Sequence, residues 1–241
     1  MFRQNPYGDG DGWSVDYPRA DINLSYRLSE LTTTSVSRDA RGYNHAVFQL
    51  TDPELYRCPF IMMTEPGGSY FDEDEAAHLR DYLLRGGFLW ADDFWGDVAW
   101  NNWAEQVGKA LPEYQSVDIP LSDALFHMLY QVNAVPQIPS INFWGRSGNT
   151  SERGAESATP HARGIFDGRG NLMVLSTHNT DFGDAFEREG DNRAYFDRFA
   201  GVGYAFGINA LLYGMTHLVR VDVPPTLHLF ASWISVVKRS T

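Results

Sequence analysis

Residues 59–93 read PFIMMTEPGGSYFDEDEAAHLRDYLLRGGFLWADD, and the changes of periodicity within this stretch decide the fold class. It opens on a compact apolar run, Phe60 to Met63. Glu65 and the Pro66-Gly67-Gly68 turn stop the run, which suits a buried strand. Asp72 then takes the N-cap position with Glu75 three residues on, a capping box, and Phe71 is placed to staple onto Ala76. The acidic residues 72–75 lie at the positive end of the helix dipole. Leu79, Tyr82 and Leu83 repeat at helical spacing until Gly86-Gly87 ends the helix. A second apolar run, Phe88 to Ala91, follows at once and terminates in Asp92 and Asp93. Strand, helix, strand at this spacing is a βαβ unit, which pairs its strands in parallel through a right-handed crossover.

The same alternation extends outward. ADINLSYRLSELTTT (residues 20–34) keeps Leu24, Leu28 and Leu31 at helical spacing, and HAVFQL (45–50) reads as a strand. NNWAEQVGKAL and DALFHMLYQV predict helices, NLMVLST (171–177) a strand, and RAYFDRFAGVGYAFGINALLYGMTH a long apolar helix. The first segment, FRQNPYGDGDGWSVDYPRAD, reads as a short strand and a long structured loop. Residues 135–164 are rich in Pro, Gly and Ser and lack periodicity, as in a long loop that is either disordered or functional. One domain over 1–241 is expected, with a C-terminal extension at 218–241.

Nineteen Lys and Arg face 31 Asp and Glu, a formal charge of -12, with no basic cluster. Nucleic acid is therefore not expected as a partner, nor an anionic membrane surface, since both need concentrated positive charge. The single cysteine, Cys58, excludes an internal disulfide and a Cys-based zinc cluster. LFASWISVV (229–237) falls far short of the roughly 20 apolar residues a transmembrane helix needs. The start carries no apolar leader core, so the expected location is cytoplasmic, or periplasmic if a signal peptide has been removed.

Ligands of open α/β sheets bind beyond the carboxyl ends of the strands. Three predicted strands deliver polar groups there: Glu65 with Gly67 and Gly68, then Asp92 and Asp93, then His178 with Asp181 and Asp184. Asp16 and Tyr17 lie in the N-terminal loop, with Tyr7, where they can fold over this edge. The aspartates either cap helices and form turns, or hold a ligand. Asp92, Asp93 and Asp184 are candidate ligands for Mg²⁺ or Ca²⁺, though no EF-hand-like loop is present. No cofactor is otherwise expected. His178 reads either as a loop residue or as an acid/base with Asp181. Gly67-Gly68 is either a turn or an anion cradle. Trp90, Trp95, Trp100 and Trp103 read as core, with Trp95 placed to wall a pocket. No G-x-S-x-G or G-x-C-x-G elbow occurs.

The run EPGGSYFDEDEAAHLRDYLLRGGFLWADDFWGD, with WSVDYPRADINLSYRLSELT and GIFDGRGNLMVLSTHNTDFGD, resembles the bacterial domain-of-unknown-function family 4159 up to about Thr216. That resemblance implies similarity to class I glutamine amidotransferase-like and ThuA-like proteins. The implied fold is a flavodoxin-like three-layer α/β/α sandwich with a mostly parallel central sheet. Amidotransferases carry a cysteine nucleophile at the elbow after the comparable strand; here Asp92-Asp93 stand there. Their late histidine and glutamate have His178 and Asp181 in a similar place.

Two classes of function follow. The preferred one is a non-catalytic module that binds a small polar ligand or another protein, with Glu65, Gly67, Gly68, Trp95, Asp16 and Tyr17 as its binding residues. The alternative is a carboxylate- or metal-dependent hydrolase of a small polar substrate, carbohydrate included. There Asp92 or Asp93 serves as base or metal ligand, with His178 as acid/base oriented by Asp181.

Overall fold

The computed structural model describes residues 12–43, 45–216 and the backbone of a strand at 235–237. Helix α1 (Arg19–Leu31) is followed by a hairpin of β1 (Arg38–Asp39) and β2 (Gly42–Tyr43). Next come β3 (Ala46–Phe48), β4 (Phe60–Thr64), α2 (Glu73–Leu84), β5 (Phe88–Asp92) and α3 (Gly96–Ala110). Then follow β6 (Ser116–Asp118), α4 (Ile141–Ser147), β7 (His161–Phe166), β8 (Leu172–His178) and α5 (Phe182–Glu187). A short α6 (Arg193–Tyr195) passes through a π-turn at Phe196–Ala200 into α7 (Gly201–Thr216), and β9 (Ser235–Val237) is the last described element.

The larger sheet has the order β3-β9-β4-β5-β8-β7-β6. β4 and β5 pair in parallel from Phe60↔Phe88 to Thr64↔Asp92, and β5 and β8 are parallel too, so the expected βαβ unit forms. β7 and β6 add an antiparallel edge that periodicity did not predict. Every residue of β4, β5 and β8 is buried, as strands covered on both faces must be.

Alternation along the strands divides the core in two. Phe60, Met62, Phe88, Trp90 and Leu175 join one cluster with Leu24 and Leu28 of α1, Phe182 and Phe186 of α5, and Phe206 of α7. Ile61, Met63, Leu89, Ala91 and Val174 join the other, with Leu79 and Leu83 of α2 and Trp103 and Val107 of α3. The α2 capping box is present in full, with Asp72 accepting from the Glu75 backbone and Glu75 reaching back to the Asp72 N–H. Gly87 is required where it stands: a Cβ there would lie 2.3 Å from the Tyr82 ring, whose hydroxyl donates to the Phe88 carbonyl.

Two expectations are corrected. DALFHMLYQV is no α-helix; only Ala124–Phe126 makes a 3-10 turn. Asn209 of α7 takes the place of helical partners, its Oδ1 accepting from the Leu129 and Tyr130 N–H groups (2.9 Å each) and its Nδ2 donating to the Tyr130 carbonyl. Residues 135–164 are not structureless. Ser140 caps α4, Gly154–Ser157 forms a further turn, and the last residues enter β7. The C-terminal extension supplies β9, inserted between β3 and β4. The strand expected before residue 12, Tyr7, and 217–234 with 238–241 lie outside the described residues.

Candidate functional site

Three neighbouring parallel strands end in the same uncommon way. Glu65 after β4 (φ 49°), Asp93 after β5 (φ 57°) and Asn179 after β8 (φ 62°) all adopt the left-handed conformation. Non-glycine residues there are strained, by about 1 kcal/mol or more each, and such residues gather at functional edges. Backbone bonds lock the turns together: the Glu65 N–H donates to the Asp92 carbonyl (3.0 Å), and the Asn179 N–H to the Phe94 carbonyl (2.9 Å).

The left-handed turn sends the two adjacent aspartates to different tasks. Asp92 is fully buried. It accepts from the Thr177 hydroxyl, the Phe182 N–H (2.8 Å) and the Gly183 N–H (3.1 Å), which anchors the start of α5 to β5. Burial pushes its pKa up to about 7, against the lowering effect of those bonds. Asp92 is therefore an internal clamp, with its oxygens engaged by the protein.

Asp93 joins a cluster instead. Its carboxylate and those of Asp16 and Asp181 offer oxygens that all lie within 4.8 Å of one another, and all three residues are buried. Asp93 accepts from the Trp95 indole N–H (3.0 Å). Asp181 caps α5 by accepting from the Asp184 N–H (2.7 Å). Burial holds the Asp181 carboxyl well above its usual pKa, and the strongest charges acting on it, Asp93, Asp16, Asp184 and Asp92, are all negative. Asp16 approaches only because residue 183 is glycine, where a Cβ would lie 2.1 Å from Asp16 Oδ2. Asp16 also stands within the same distance of Asp184 and Glu187. Asp184 accepts from the Ile141 N–H (2.5 Å), which ties the cluster to the 135–164 segment.

His178 stands apart from these carboxylates. Thr177, the preceding residue of β8, bonds to Asp92, so alternation turns His178 to the opposite face of the sheet. Its ring packs against Phe94 (5.1 Å) and Trp100 (5.4 Å) and stacks on His161 (5.8 Å). Nε2 donates to the Gly96 carbonyl (3.0 Å), and Nδ1 accepts from the Arg163 guanidinium (3.1 Å); the partners assign this tautomer. Burial lowers its pKa to about 4. Arg163 lies over Trp100 (3.9 Å) and pairs with Asp118 (3.3 Å). Both imidazole nitrogens are engaged and neither meets Asp181, so the expected His178–Asp181 pair is not brought together.

The remaining predicted residues divide similarly. Glu65 accepts from the Gly12 N–H (2.5 Å) and fastens the N-terminal segment. Gly67 and Gly68 form a 3-10 turn whose Gly67 carbonyl accepts from Asn102 (2.9 Å). Trp95 is buried beside Asp93. Tyr17 packs on Trp13 (5.7 Å), and both line a cavity of about 20 Å³ with Asp16, Asp21, Thr64 and Gly183.

Three contributors escaped the sequence reading. Asn179 accepts from the Gly96 N–H (2.8 Å) and donates to the Thr159 carbonyl (2.9 Å), but in HNTD it looks like an ordinary turn residue. Arg163 sits on a strand that was not predicted. Asp21 left a signal: it precedes Leu24 and Leu28 at helical spacing, which places a carboxylate on the buried face of α1.

The class is thus an α/β protein with a mixed sheet that gathers buried carboxylates at the carboxyl edge of its parallel strands. The chain belongs to the family described as Domain of unknown function (DUF4159), whose model matches residues 3–215. No curated protein matches the sequence. Among the described residues no helix is long and apolar enough to cross a membrane.

Proposed function

We propose that this chain is a non-catalytic ligand-binding module built on a flavodoxin-like, glutamine amidotransferase-like scaffold, with its ligand site at Asp16, Asp93 and Asp181. Support for the scaffold comes from the parallel β4-β5-β8 core and the two apolar clusters on alternate strand faces. Asp93 stands on a left-handed turn between β5 and α3, and the resemblance implies that the Asp92-Asp93 pair stands where amidotransferases carry their cysteine. The observation that carries the binding reading is the histidine. His178 is locked between the Gly96 carbonyl and Arg163, so neither thioester chemistry nor a histidine-driven hydrolysis has its base. A small polar ligand suits the carboxylate side better than a protein, because Asp16, Asp93 and Asp181 are all buried.

One observation favours the alternative, a carboxylate-dependent hydrolase. Asp181 is held well above its usual pKa by burial, first, and by the charge of Asp93, and a carboxyl that keeps its proton can serve as a general acid.

A thermal-shift screen of polyols, sugars, amines and amino acids decides between them, run on the wild type and on Asp93→Asn. The binding reading expects a saturable shift that the substitution abolishes, with the ligand recovered intact. Ligand conversion at a rate that falls with Asp93→Asn would establish the hydrolase instead.

A further inference from the structure

We propose that Asp16, Asp93 and Asp181 hold a hard divalent cation, with Asp21 as an outer acceptor across the adjoining cavity. This deepens the binding reading and rests on it.

The donors come from three separate segments: the loop before α1, the turn after β5, and the connection from β8 to α5. Their oxygens all lie within 4.8 Å of one another. Oxygens bound at about 2.1–2.4 Å to one ion are separated by at most about 4.2–4.8 Å, so oxygens within 4.8 Å of one another come within reach of a shared ion. The three groups are carboxylates, with no thiolate or imidazole among them. An all-oxygen donor set selects Mg²⁺, Ca²⁺ or Mn²⁺ over Zn²⁺.

A second observation, in the cavity beside Asp16, does not depend on the spacing of the cluster. Asp21 is only 5% exposed, and its Oδ1 has no hydrogen-bond partner among the described residues. A buried carboxylate oxygen left in that state is costly. Asp21 lines the cavity of about 20 Å³ that Asp16 also lines. A cavity of this size accommodates one water, which needs roughly 10–15 Å³. A water bound to the cation beside Asp16 would supply the donor that Asp21 Oδ1 lacks. Gly183 serves the same end, since any side chain there would push Asp16 off its position.

Mn²⁺ binding to the intact chain, followed by loss of the free-ion electron paramagnetic resonance signal, tests the proposal. We expect one saturable Mn²⁺ per chain, displaced by Mg²⁺ or Ca²⁺, and weakened at least tenfold in Asp16→Asn and in Asp93→Asn. Asp21→Asn should weaken it less, about two- to fivefold, as expected of an acceptor acting through water. Absence of saturable binding to the wild type up to about 10 mM, beyond the weak limit of known sites, overturns the proposal without recourse to any variant. Binding unchanged in both Asp16→Asn and Asp93→Asn overturns it too. If the wild type takes no cation yet an amine or sugar still gives an Asp93-dependent thermal shift, the cation site fails and the binding module stands. If neither binds, both fail.

Discussion

His178 and Asp181 leave the same strand end, yet they enter opposite kinds of surroundings. On the histidine side each buried polar atom meets its complement. Nδ1 receives Arg163, Nε2 reaches the Gly96 carbonyl, and Arg163 is balanced by Asp118 and the Trp100 ring. On the carboxylate side Asp16, Asp93 and Asp181 are as deeply buried and, beside the N–H donors of Trp95 and Asp184, they also meet one another. Complementary pairing completes a wall. Gathered like charge raises the cost of ionising each carboxyl, which a proton or a cation relieves, and the proposed ligand site lies on that side of the edge.

Asp92 offers the strongest way to break this contrast, because it belongs to the carboxylates by charge and to the wall by bonding. Asp92→Ala strands the Thr177 hydroxyl and the Phe182 and Gly183 N–H groups in a fully buried position. The expected loss is about 4 kcal/mol, read from urea midpoints. A loss under about 1 kcal/mol would show that α5 is anchored elsewhere.

Next comes pH. Burial raises Asp21 and Asp92 from 3.8 to about 7. The folded state therefore keeps protons that the unfolded chain releases, and their contribution, full below about pH 4, is lost as pH rises through about 7. His178, lowered from 6.5 to about 4, works the other way: its contribution is present above about 6.5 and is lost as pH falls towards 4. The raised carboxyls, Asp181 among them, outweigh the one imidazole. Metal-free stability should fall by about 3 kcal/mol from pH 5 to pH 8, and by less in Asp21→Asn. A higher urea midpoint at pH 8 would contradict the burial of these carboxyls.

Gly183→Ala sharpens the carboxylate side alone. The new methyl meets Asp16, so we expect about 2 kcal/mol of destabilisation together with weaker Mn²⁺ binding. Loss of stability with binding intact would place the ion away from Asp16. His178→Gln is the converse, costing about 1 kcal/mol through lost packing and hydrogen bonds while ligand affinity is retained. Affinity lost at unchanged stability would move the functional side of the edge to the histidine. The smallest effect is expected from Asp118→Asn. Its carboxylate is exposed, and removing its charge beside Arg163 and His161 should cost about 0.5 kcal/mol in the same urea assay.

Much of this edge was legible in advance where chemistry is local. The capping box at Asp72 and Glu75, the glycines ending α2, and the carboxyl-edge aspartates all follow from short-range spacing. Two residues that the sequence treats alike, Asp92 and Asp93, were not separable. Their division depends on the left-handed turn at Asp93 and on Thr177, Phe182 and Gly183, which are distant in the chain. The segment at 123–132 misled for a related reason. Its helical spacing is real, but Asn209 offers its backbone better-placed partners than the next helical turn would.

By itself the sequence determined the βαβ unit, the buried character of β4, β5 and β8, and the set of carboxylates available at their ends, because periodicity and capping act over a few residues. Only the tertiary structure decided which carboxylates meet, which side of the sheet His178 takes, and where β6, β7 and β9 pair. Those outcomes turn on strand alternation and on contacts between segments far apart in the chain, such as Asp16 against Gly183, whose energies no local pattern carries.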